Sequence, residues 1–198
     1  MAAGVAGRRK PVHLAAMEAR RPAAGTEVSV EHVTELNRLD LDDLCDATDA
    51  AIVDGNGFGW LKPQPRDQME RYWKGVLLVP ERLLWVGRLD GTIAASAQLQ
   101  LPPRFNEAQA HCPQLTTHFV APWARGHGLA AMLLEAVEAY CLGHGYTHLR
   151  LDVRCTQSRA IEVYEDHGFT RWGELPSYAK IDGKLVTGYF YVKALAAD

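Results

Sequence analysis

Residues 115–130, LTTHFVAPWARGHGLA, decide how this chain is read. Leu115–Val120 is an extended run. Ala121-Pro122 closes it, because proline offers no N–H and biases its predecessor away from helix. Arg125-Gly126-His127-Gly128-Leu129-Ala130 follows, and Leu129, Met132, Leu133, Ala136, Val137 and Tyr140 then recur at helical spacing to about Leu142. A strand, a glycine-bearing turn and a helix start together make an anion site. The first helical N–H groups lack intrahelical partners, and the helix dipole adds positive potential there. Glycine lets a bulky phosphate come close to the backbone. The turn therefore predicts a phosphate-bearing ligand on Arg125–Ala130.

Outward from this turn, alternation and punctuation predict the other elements. Thr26–Val33 reads as a strand, Leu39–Val53 and Pro65–Leu78 as helices, and the glycine-rich 55–61 segment between them as a loop carrying two exposed-looking aromatics, Phe58 and Trp60. Asp90-Gly91 joins Arg82–Arg88 to Thr92–Leu101 as a hairpin. A loop from Pro102 to Pro113 leads into the 115–120 strand. After the long helix come a strand at His148–Arg154, a short helix at Ser158–Asp166, and two strands, Phe169–Trp172 and Leu185–Val192, joined across Asp182-Gly183. The order β α α β β β α β α β β predicts one α/β domain of the layered α+β kind over residues 26–198. Its sheet is mixed, mostly antiparallel and flanked by helices. Residues 1–25 show no sustained pattern and are expected to be a disordered tail.

Composition narrows the function classes. The 198 residues are 47% hydrophobic and 23% charged, as in ordinary globular proteins. No run approaches the roughly 20 apolar residues of a membrane span. A formal charge of −3 gives no general case for nucleic acid, and residues 1–22 hold Arg8, Arg9, Lys10, Arg20 and Arg21 against Glu18 alone, which leaves the remainder clearly acidic. Cys45, Cys112, Cys141 and Cys155 lack CxxC spacing, so free thiols in the reducing cytoplasm are expected. His144 and His148 are four apart, but Gly145 interrupts the helix that would align them, so no metal site is expected.

The turn itself admits three readings. Gly126-x-Gly128-x-x-Ala131, with Asp152 in the next strand, fits a dinucleotide fingerprint. That fold needs more parallel βα units than follow here. A P-loop is excluded because no G-K-[ST] is present. A tight strand-to-helix turn without a ligand is the plain alternative. The third reading covers residues 115–169. Arg125, Gly128 and Ala130 match the pattern [QR]-x-x-G-x-[GA], with Val120-Ala121-Pro122 as its V-x-P prelude. Gln157, Ala160, Tyr164, Gly168 and Phe169 follow N-x-x-A-x-x-x-Y-x-x-x-G-F, with Gln157 in the asparagine position. On these two motifs, separated by a helix and a strand, the chain resembles the GNAT superfamily of acyl-CoA-dependent N-acetyltransferases. A finer resemblance, carried by QLQLPPRFN, His111 and LPSYAKIDGKLVTGYFYVKAL, is to bacterial tabtoxin-resistance acetyltransferases. That branch typically has a Glu where this chain has Gln114.

The resemblance implies a central strand pair that splays beyond Val120 and Asp152 to admit a pantetheine arm. It implies acetyl transfer from acetyl-CoA to an amine, most simply of a small molecule, by direct attack. Backbone groups of Gly126, His127, Gly128, Leu129 and Ala130 would hold the pyrophosphate with Arg125 nearby, and Gln157 and Ala160 would flank the cofactor. A main-chain N–H at Phe119 or Val120 would face the thioester oxygen. Tyr164, a phenol protonated at neutral pH, is the candidate general acid for the leaving thiolate. For the base, His118, His111, Asp152 and a water chain stay open. Trp60 and Tyr178 would line the acceptor pocket. A non-catalytic acyl-CoA-binding module is the alternative class. The oligomeric state is open, a homodimer included.

Overall fold

Seven strands form one sheet in the order β1-β2-β3-β4-β5-β7-β6. The computed structural model describes residues 25–55 and 58–195; the expected N-terminal tail, Gly25 apart, lies outside these residues. The elements are β1 (Val28–Val33), α1 (Arg38–Val53), α2 (Arg66–Leu77), β2 (Arg82–Leu89), β3 (Thr92–Gln100), β4 (Gln114–Val120), α3 (Leu129–Gly143), β5 (His148–Arg154), α4 (Ser158–Asp166), β6 (Thr170–Ile181) and β7 (Lys184–Ala194). Short 3₁₀ turns at Glu107–Gln109 and Pro122–Ala124 precede and follow β4.

Local chemistry accounts for most boundaries. Asn37 caps α1 by accepting the Asp40 N–H at 2.9 Å. Both Asp-Gly pairs turn as two-residue hairpins with positive φ at each position: 50° and 82° at Asp90-Gly91, 48° and 80° at Asp182-Gly183. The closing hairpin is longer than alternation predicts, because β6 has no fully buried residue and so no buried face imposes a pattern on it.

Every neighbouring pair of strands is antiparallel except β4 and β5, which run parallel and meet only at Gln114 and Arg150. The splay therefore begins at the start of β4, earlier than the expected divergence beyond Val120. The helices cover both faces. Leu44, Ala51, Met69 and Trp73 of α1 and α2 pack with Leu84, Val86, Ile93 and Phe119 on one side. Leu129, Leu133, Val137 and Cys141 of α3 pack on the other with Ala95, Leu99, Leu149, Leu151 and Tyr164. Phe58 is a correction to the sequence reading: it is buried, edge-on to Phe119 at 5.0 Å. Among the described residues no helix is long and apolar enough to cross a membrane.

Gly87 in β2 sets how closely α3 approaches the sheet. A Cβ there would lie 2.8 Å from Leu129 Cδ2 and 3.1 Å from Ala95 Cβ. Leu129 is the first residue of α3, so Gly87 seats the end of the helix that carries the anion turn. Gly87→Val is expected to destabilise the fold by about 1–3 kcal/mol through overpacking, read as a lower urea midpoint. It should also displace the start of α3.

Candidate active site

The turn between β4 and α3 has the geometry its glycines require. Gly126 and Gly128 take φ of 85° and 83°, and a Cβ on either would meet open space, so both are needed for backbone conformation rather than for lack of room. Gly128 is the N-cap of α3 and makes no side-chain cap, leaving the first N–H groups of α3 without one. Arg125 is turned toward α1 and pairs with Asp54 at 2.5 Å. His127 holds the turn through its Nδ1, 3.2 Å from the Ala124 carbonyl.

From this turn a cleft of about 940 Å³ runs into the gap between β4 and β5. The Ala121 N–H donates to the Ala94 carbonyl on β3. By strand alternation the Val120 N–H points the other way, to the open edge of β4. That alternation is broken once, upstream. Gln98 pairs with Thr116 and Ser96 with Phe119, so Thr117 and His118 together oppose Ala97 in a β-bulge. Thr117 takes a φ of 48°, and its carbonyl accepts from the Ser96 hydroxyl at 3.1 Å. Leu115 and Phe119, which a regular strand would put on one face, belong to opposite core layers. The bulge delivers His118 to the α3 side.

There His118 meets Tyr164 of α4. Its Nε2 lies 3.1 Å from the Ala130 carbonyl and its Nδ1 3.1 Å from Tyr164 Oη. A carbonyl only accepts, so Nε2 carries the ring proton. Burial, and to a lesser extent the neighbouring His167, push the imidazolium pKa down to about 4 against the favourable Ala130 hydrogen bond. The ring is therefore neutral near pH 7, Nδ1 is bare, and the Tyr164 hydroxyl donates to it. Burial, reinforced by the charge of Asp152, holds the Tyr164 phenol well above its ordinary range.

Asp152 projects to the opposite face of the sheet, because its neighbours Leu151 and Val153 pack under α3. It accepts from Gln114 Nε2 at 2.7 Å and from the Tyr178 hydroxyl. Tyr178 reaches it through a second bulge. Leu175 pairs with Gly188 and Ala179 with Val186, so Pro176-Ser177-Tyr178 loops out of β6. Gly188 makes room for the ring, since a Cβ there would lie 2.2 Å from Tyr178 Cγ. Burial, and then the hydrogen bond to Asp152, raise the Tyr178 phenol pKa.

The cleft lining brings together His118, Phe119, Val120, Arg125, Gly126, Gly128, Leu129, Ala130, Asp152, Gln157, Ala160 and Tyr164, and Trp60 and Tyr178 line it too. His111 stands apart. It packs edge-on to His148 at 5.4 Å, at the paired start of β4 and β5 rather than in the gap. His144 bonds its own helix at the Tyr140 carbonyl, 2.8 Å away. Among the described residues no group of three His, Cys, Asp or Glu side chains is placed to hold a metal. Sequence reasoning missed the strap formed by the end of α1. Arg125, Gln157 and Arg154 reach Asp54, Gly55 and Phe58, respectively. It also missed the Tyr72–Gln98 hydrogen bond of 3.0 Å behind Trp60. These partners lie between 26 and 102 residues apart in the chain and carry no local signature.

Comparison with known proteins agrees with this geometry. The profile of the Acetyltransferase (GNAT) family matches residues 46–169. A curated relative from Azospirillum brasilense, described as an uncharacterized N-acetyltransferase in the hisH-hisA intergenic region, is 61% identical over 134 residues. The match spans 68% of this chain and 80% of the relative. An N-acetyltransferase structure from Staphylococcus aureus Mu50 superposes with a TM-score of 0.73 at 18% identity, over 86% of this chain and 99% of that one. A putative acetyltransferase from Salmonella typhimurium, solved with its cofactor acetyl-CoA, gives 0.70 at 14% identity, over 86% and 95%. At such identities the two structures speak for the fold alone.

Two measurements check the geometry. His118 takes its proton near 6.5 when unfolded and near 4 when folded, so between those values the unfolded chain holds the extra proton. Stability should fall as pH drops from 6.5 to 4, by up to about 3 kcal/mol for this one group. In urea titrations His118→Asn should flatten that slope. Gly188→Ala should drive the Tyr178 ring off Asp152, seen as a change in tyrosine ultraviolet absorption on alkaline titration, with the fold retained.

Proposed function

The chain belongs to the acetyltransferase (GNAT) family and is an acetyl-CoA-dependent N-acetyltransferase, and from its cleft we propose that the acceptor is the primary amine of a small molecule. The single observation that carries this reading is continuity. The uncapped start of α3, the open edges of β4 and β5, Tyr164 and the carboxylate of Asp152 all face one cleft.

On this reading the diphosphate of acetyl-CoA rests on main-chain N–H groups of the 125–130 turn. Arg125 contributes less than a free cation would, because Asp54 already neutralises it. The pantetheine arm lies in the gap, where its amides replace the strand pairing that β4 and β5 do not make. The Val120 N–H polarises the thioester carbonyl. Asp152 receives the protonated amine and takes its first proton, which an alkylamine must lose before it can attack. Trp60, Tyr72 and Tyr178 border that end of the cleft and offer flat apolar walls to the acceptor's body. The nitrogen attacks directly, and Tyr164, kept neutral by burial, supplies the proton for the thiolate. Four free cysteines and a cytosolic co-substrate support a cytoplasmic setting.

Thiol release from acetyl-CoA across a library of small amines tests this. Turnover with at least one primary amine is expected, and none across the library would defeat the acceptor assignment. Tyr164→Phe should lower turnover by about 10²-fold or more while leaving coenzyme A affinity nearly unchanged. Gly128→Glu should abolish coenzyme A binding in calorimetry. It forces a side chain onto a φ of 83° and sets a negative charge against the diphosphate.

A further inference from the structure

We propose that His118 acts on the reaction through Tyr164, taking the phenolic proton on Nδ1 while the Tyr164 oxygen takes the second proton of the attacking nitrogen, and returning it as the sulfur leaves. The proposal rests on the acetyl-transfer reading of the cleft and adds a positioning and relay residue to it.

The argument starts from hydrogen-bond polarity. Ala130 fixes the proton of His118 on Nε2, so Nδ1 is an acceptor and the Tyr164 hydroxyl must point at it. The oxygen of Tyr164, not its hydrogen, is then what faces the cleft. A phenol held this way has an oxygen lone pair free to accept a proton from the cleft, but donates one directly only by giving up its 3.1 Å hydrogen bond. Tyr164 alone is therefore poorly arranged to protonate a thiolate, whereas the pair is well arranged to carry a proton to it.

The steps balance. After a neutral amine attacks the thioester carbon, its nitrogen is positive and has one proton to lose. That N–H proton passes to Tyr164 Oη as the original Oη proton passes to His118 Nδ1. The histidine is now an imidazolium whose Nε2–H still rests on the Ala130 carbonyl. When the carbon–sulfur bond breaks, its electron pair stays on sulfur. Tyr164 gives the thiolate a proton and recovers one from Nδ1. The dyad ends as it began, and the proton has moved from nitrogen to sulfur without visiting bulk water.

The surroundings suit a transient imidazolium rather than a resting one. Facing His118 are Tyr164 from α4, the Ala130 carbonyl from α3 and, at the end of α4, His167, whose charge would oppose a second one; Asp152 of β5 acts on Tyr164. Burial keeps Nδ1 bare at neutral pH, so the site is free to accept, and the same burial makes the imidazolium it forms short-lived.

Single-turnover acetyl transfer at saturating acetyl-CoA and amine tests the relay. His118→Asn keeps an oxygen near the Nδ1 position to accept from Tyr164 but cannot hold the extra proton; His118→Phe does neither. Both should slow transfer by about 10²-fold or more. Coenzyme A affinity should stay within about twofold of native, which also reports that each variant is folded. The double variant His118→Asn with Tyr164→Phe should be no slower than either single one, since the two residues act as a unit. Rates in mixed light and heavy water should curve with isotope fraction for the native chain and become linear in His118→Asn. Native rates in His118→Asn, or losses that multiply in the double variant, would overturn the relay while leaving acetyl transfer intact. Failure of the native chain to bind coenzyme A would remove the cleft reading itself, and the relay with it.

Discussion

The structure turns on one parallel rung. β4 and β5 meet at Gln114 and Arg150 and nowhere else, so an otherwise continuous seven-stranded sheet is two antiparallel halves hinged at a single pair. Strands that diverge leave two rows of backbone N–H and C=O groups facing one another across a gap, and such groups need partners. The connection between β4 and β5 is the α3 crossover, which returns over one face of the sheet. Its N-terminus is thereby set at the wide end of the gap. An anion site and an unfilled strand position thus arise from the same topological fact. A ligand with a diphosphate head and an amide-bearing arm satisfies both together.

Much of this is legible along the chain because it is local. Pro122, Gly126 and Gly128 mark the end of β4 and the start of α3, the two Asp-Gly pairs place their hairpins, and the Leu129–Tyr140 stripe shows the buried side of α3. The motif residues Arg125, Gly128, Ala130, Gln157 and Tyr164 likewise fall on the cleft. What is not legible depends on register. Nothing in TTHFV announces that Thr117 will take a positive φ. The bulge exists because β3 opposes two residues with one, a property of the pair and not of either strand. Without it, parity would put Phe119 beside Leu115 and turn His118 away from Ala130.

Tyr178 illustrates the same limit. Its alternation within β6 is uninformative, since neither face of that strand is fully buried. Its position is set by the bulge that runs through Pro176 and by Gly188 on β7, whose missing Cβ is the seat for the ring. Both residues are visible in the sequence, but their meaning requires knowing that β7 pairs with β5 on one side and β6 on the other. Phe58 is misread for a related reason. Glycines on either side make its segment look like an open loop, whereas a partner on β4, far along the chain, buries it.

On the proposed reading, the two faces of the gap also separate the charges that the reaction handles. An amine arrives as a cation, and the carboxylate of Asp152, steadied by Gln114 and Tyr178, is on the face covered by α1 and α2. The leaving sulfur departs as an anion. A carboxylate beside it would raise the free energy of the thiolate, because like charges in a partly dehydrated cleft are weakly screened. The groups on the α3 side are instead a neutral phenol and a neutral imidazole, kept so by burial. Proton removal from a cation and proton delivery to an anion place opposite demands on the local field. On the proposed reading, the splayed sheet meets them by putting the Asp152 carboxylate and the neutral His118–Tyr164 pair on opposite faces of the gap.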